Sequence, residues 1–89
     1  MRIVEGFKIR TVMGESVVVG EGVAQINFNK LVTLNKTATY LWKSVENQEF
    51  TIDDLVDILI KKYNLPLHLA IKDAEYIADE WIKNGLVKR

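Results

Sequence analysis

The chain has 89 residues, nearly half of them hydrophobic, with no cysteine and a formal net charge of zero. That length suits one compact domain spanning 1–89 and not two; it excludes disulfides and thiolate metal sites, and no apolar run approaches the ~18–20 residues of a membrane span. The start, Met-Arg-Ile-Val-Glu-Gly, lacks the apolar stretch of a signal peptide, so a cytoplasmic location is expected, and charge neutrality argues against nucleic acid or an anionic membrane as the main partner.

Residues 1–34 hold most of the glycines and many β-branched residues, which suits strands and turns. The pattern predicts strands over Phe7–Met13 and Ser16–Val19, joined at Gly14-Glu15 by a type II′ turn. Gly20-Glu21-Gly22 marks a second turn, 23–28 extends or loops across the sheet, and Lys30–Leu34 reads as a last short strand running into a helix.

Three helices follow. Asn35 is a good N-cap for the first, and Ala38, Leu41, Trp42 and Val45 recur at helical spacing. Thr51 with Asp54 three residues on resembles a capping box for the second, whose apolar face is Ile52, Leu55, Val56, Leu59, Ile60 and Tyr63. Pro66 separates it from a third helix over roughly Leu69–Asn84, closed by Gly85 at the left-handed C′ position. At 100° per residue Ala70, Ala74, Ile77 and Trp81 share one face, flanked by Ile71, Ala78 and Ile82. Leu86-Val87 is expected to tuck back onto the core. A small antiparallel sheet of about three strands followed by a three-helix bundle makes an α+β, winged-helix-like fold.

Catalysis has little to stand on. His68 is the single histidine, beside Pro66, where a surface or capping role is the ordinary one. Asp53, Asp54 and Asp57 read as capping and helix-dipole residues rather than a cation site. Gly14, Gly20 and Gly22 lack the Gly-Lys-Ser/Thr and strand–loop–helix context of a phosphate loop. Trp42 and Trp81 fall on apolar faces and read as core. The chain is therefore expected not to be an enzyme and to need no metal or cofactor.

Three stretches resemble the PqqD family, the RiPP recognition elements (RiPP: ribosomally made, post-translationally modified peptide). They are Leu34-Asn35-Lys36-Thr37-Ala38 with Leu41-Trp42, then Phe50-Thr51-Ile52-Asp53-Asp54-Leu55, and Asp73 with Gly85-Leu86-Val87. The likeness covers about 31–88; residues 1–30 match only in being strand-like. It departs at Ala70, Ala74 and Ala78, where the family often carries larger residues. The resemblance implies a non-catalytic domain that binds the leader of a precursor peptide as an added strand beside the last helix; members occur alone or fused to their enzymes, and at 89 residues this one is expected to stand alone. It would then present that peptide to a modifying enzyme, often a radical S-adenosylmethionine enzyme.

An exposed strand edge has unpaired amides and carbonyls for such a peptide. The expected groove pairs the peptide with Lys30, Leu31, Val32, Thr33 and Leu34, with Ala74 and Ala78 leaving room on the helix and Ile71 and Ile82 as walls. Which amides point outward stays open, because a one-residue register change reverses the answer. The alternative is a winged helix-turn-helix DNA-binding protein. The third helix opposes that reading by carrying Asp73, Glu75, Asp79 and Glu80 against Lys72 and Lys83. A purely structural subunit of a larger enzyme is a third reading.

Overall fold

The computed structural model describes residues 1–21 and 32–89. In chain order these form β1 (Arg2–Ile3), β2 (Phe7–Val12), β3 (Glu15–Gly20), β4 (Val32–Leu34), α1 (Lys36–Val45), α2 (Ile52–Tyr63), α3 (Leu67–Lys83) and β5 (Val87–Lys88). A small antiparallel sheet followed by three helices is thus an α+β fold, as the sequence predicts. The expectations for 23–28, and for Lys30 and Leu31 as strand residues, lie outside the described residues.

The sheet runs β2-β3-β4, all antiparallel. Its first turn differs from expectation by one residue. Val12 pairs with Glu15, and the turn is Met13-Gly14, with φ of 51° and 82°. Positive φ at both central positions is type I′, whose twist matches the strands it joins, whereas type II′ needs it only at the first. Nothing in the sequence signals Met13, because methionine rarely takes that conformation.

The helix ends follow from named side chains. Asn35 Oδ1 accepts the Ala38 amide at 2.8 Å and starts α1. The capping box on α2 is reciprocal: Asp54 N–H donates to Thr51 Oγ1 at 3.1 Å, and Thr51 N–H to Asp54 Oδ2 at 2.9 Å. It ends at Asn64 in the left-handed conformation. The start of α3 is at Leu67, two residues earlier than expected, directly after Pro66 with φ −58°. Its end is a Schellman motif, with Gly85 N–H donating to the Ile82 carbonyl (3.0 Å) and Leu86 N–H to that of Trp81 (2.9 Å). This turn sends Leu86 and Val87 back into the core, where β5 pairs with β1 in a separate two-stranded ladder. Nothing in the sequence pattern signals β1, whose two residues carry no period.

The core lies between the helices and the inner face of the sheet. Trp42 and Trp81 meet edge to face with centroids 5.4 Å apart, and Phe50 packs on Trp81 at 6.2 Å. Ala38, Leu41, Leu55, Leu59, Ala70 and Ala74 close around them. The Trp42 Nε1–H is buried without a hydrogen-bond partner among the described residues.

Candidate functional site

The register of the sheet decides which backbone groups of β4 are free. In an antiparallel pair, residues alternate between exchanging both hydrogen bonds and exchanging none. A Glu21 N–H to Gly6 carbonyl bond of 2.7 Å fixes the phase. Counting from it, Glu15, Val17 and Val19 bond to β2, so Ser16 and Val18 turn their amides toward β4. Their partners there are Leu34 and Val32. Thr33 lies between those two and directs its N–H and C=O away from the sheet. Among the described residues no strand covers that edge.

Beside this edge runs a groove of about 220 Å³ between β4 and one flank of α3. Val32, Thr33 and Leu34 form one bank, Tyr76, Ile77 and Glu80 the other, with Ala38 and Trp81 at the bottom. Tyr76 is two-thirds exposed, which is unusual for so large a side chain on this helix. Glu80 lies 4.0 Å from Lys83 and supplies the groove's negative charge. The Asn84 side chain donates to the Glu80 carbonyl at 2.8 Å and closes one end of the helix bank.

Of the residues expected from sequence, Val32, Thr33 and Leu34 lie on this groove, and Lys30 and Leu31 fall outside the described residues. The helix residues are placed elsewhere. Ala74 and Ala78 have no exposed surface, so they leave room for core packing and not for a ligand. Ile71 and Ile82 are on the opposite flank, at roughly 100–120° around the helix from Ala70, whereas Tyr76, Glu80 and Asn84 lie at roughly 240–320°. Ile82 borders a different cleft, with Met1, Ile52 and Arg89. The missed residues are Tyr76, Ile77, Glu80 and Asn84. Their one sequence signal is a large aromatic, Tyr76, on an otherwise polar flank.

No three or more His, Cys, Asp or Glu side chains gather into a metal-holding group among the described residues, and His68 is exposed in the first turn of α3. No helix of the described residues is long and apolar enough to cross a membrane.

A family model described as coenzyme PQQ synthesis protein D (PqqD) matches residues 15–87. The chain belongs to the PqqD family. It is a family of RiPP recognition elements. The match begins at the first residue of β3, so the PqqD region takes in β3 as well as β4 and all three helices, more than the 31–88 legible from short motifs. No curated protein and no solved structure gives a significant match.

Proposed function

We propose that this PqqD-family chain is a non-catalytic peptide-binding partner in PQQ-type biosynthesis, taking the leader of a ribosomally made precursor peptide as an added strand on β4. The observation that carries the reading is Thr33, whose outward N–H and C=O stand beside a groove with an apolar floor. Backbone pairing supplies affinity with little demand on sequence, and alternate side chains of the peptide enter the groove and supply selectivity. The bound peptide is then presented to a modifying enzyme, for which the family resemblance suggests a radical S-adenosylmethionine enzyme. The work assigned to this chain is holding and positioning, which needs no nucleophile, base or cofactor of its own. The acidic groups on α3, Asp73, Glu75, Asp79 and Glu80, disfavour the DNA-binding alternative, since they would meet phosphates with the wrong sign.

The test is an amide chemical-shift titration with the synthetic leader of a precursor peptide encoded beside this gene. Shifts are expected at Val32–Leu34 and at Tyr76–Asn84. Shifts confined to β2 and the Met13-Gly14 turn would place the peptide on the other edge of the sheet and defeat the reading. A parallel titration with random duplex DNA is expected to show no binding at physiological salt.

A further inference from the structure

Past Asn35 the groove opens into a second, larger cleft of about 610 Å³ between the hairpin tip and the outer face of α1. The two clefts share Thr33, Leu34 and Asn35, so they adjoin at the C-terminal end of β4. Their electrostatics differ. Among the described residues the α3 groove is lined by Glu80, which pairs with Lys83, and by no lysine or arginine. The α1 cleft is bordered by Lys36, Tyr40 and Lys43, one stripe at i, i+4 and i+7. Neither lysine has an ion-pair partner among the described residues, and α1 contains no acidic residue. A third cation, Lys62 on α2, stands 4.9 Å over the Tyr40 ring. Among the described residues lining the cleft, Glu15 is the single acid.

We infer that the α1 cleft receives carboxylate side chains of the same bound peptide, paired with Lys36 and Lys43. The inference rests on the peptide reading above and deepens it by naming the chemistry of the ligand: an apolar or β-branched strand segment with Asp or Glu on one side only. Exposed ion pairs contribute modestly to affinity. Their effect here is on orientation. An edge strand accepts a partner running either way, and unpaired positive charge at one end of the path makes one direction and one register better than the other.

The experiment selects a displayed library of random peptides, long enough to span both clefts, against the intact chain and against the Lys36→Glu/Lys43→Glu variant. Both lysines are exposed, and a melting curve checks that the variant folds, with Lys36→Gln/Lys43→Gln as a milder second variant. Wild type is expected to enrich an apolar segment with acidic residues on one side. The charge-reversed variant should keep the apolar segment and lose the acidic bias. A synthetic peptide from the wild-type pool should bind the reversed variant roughly tenfold more weakly, with a flatter dependence on salt. An apolar segment enriched without acidic bias, or a bias that survives charge reversal, overturns the inference and leaves peptide binding standing. Failure to enrich any apolar segment overturns the peptide reading and the inference with it.

Discussion

The two flanks of α3 differ in a way that runs against their composition. The flank bearing Ile71 and Ile82 is the more apolar one, yet it faces away from β4, and Ile82 is half-buried against the core. The flank bearing Tyr76 and Glu80 is more polar, yet it stands across from the edge of β4 that no strand covers among the described residues. Ile82 thus marks what the helix covers within its own fold, while Ile71 on the same flank is exposed. The flank that lines the groove is the one that the topology turns toward β4, and an exposed aromatic such as Tyr76 is the trace it leaves in the sequence.

The largest expected effect comes from removing what both flanks rest on. Trp42→Ala should destabilise the fold by about 3–5 kcal/mol, close to the whole stability of a domain this size, measured by chemical denaturation. An unchanged midpoint would mean that the indole is not the packed centre from which both flanks are supported. Next is the edge itself. Thr33→Pro removes an amide that points outward and is spared by the internal ladder, so the fold should survive while peptide binding weakens at least tenfold, about 1.4 kcal/mol. Thr11→Pro makes the same change at the outward position of the β2 edge and should leave the dissociation constant unaltered; the reverse pattern would exchange the two edges.

A smaller pair of effects separates the flanks directly. Tyr76→Ala should weaken peptide binding by about 0.5–1.5 kcal/mol with little change in melting temperature. Ile82→Ala should do the opposite, costing about 1 kcal/mol of stability and leaving binding unchanged. Binding loss at Ile82 with none at Tyr76 would show that the helix presents the other flank. The smallest effect lies away from both flanks. Met13→Asn supplies an Asn-Gly type I′ turn and should raise stability by up to about 1 kcal/mol, with binding as in the wild type.

What could be read from the sequence was what is decided locally. Asn35, Thr51 with Asp54, and Gly85 act within a turn of where they stand, so the helix ends were legible to within about two residues. Trp42 and Trp81 were legible as core because period alone puts them on apolar faces. The β1–β5 pair was not, since Ile3 and Val87 meet across nearly the whole chain and two-residue strands carry no period. The outward group of β4 was hidden for another reason. Thr33 faces out only because the hairpin turns at Met13-Gly14, and a turn one residue later shifts the pairing that fixes the phase of the whole sheet. The flank of α3 depended on where β4 lies relative to the helix, and the alanines at 74 and 78 pointed the wrong way by being small for the sake of the core.

The edge-to-face tryptophan pair also gives the protein an optical readout. Trp42 sits in an apolar, unhydrated setting with its Nε1–H unpartnered among the described residues, which should place its emission at the short-wavelength end of the indole range. Trp81, in contact with it, forms part of the groove floor. A strand laid over that floor changes the polarizability and water content above one chromophore while leaving its neighbour in place. Two indoles immobilised against each other in a packed core should give a near-ultraviolet dichroism signal that is lost when the core loosens, so occupancy of the groove and integrity of the core can be followed in one cuvette by fluorescence and dichroism.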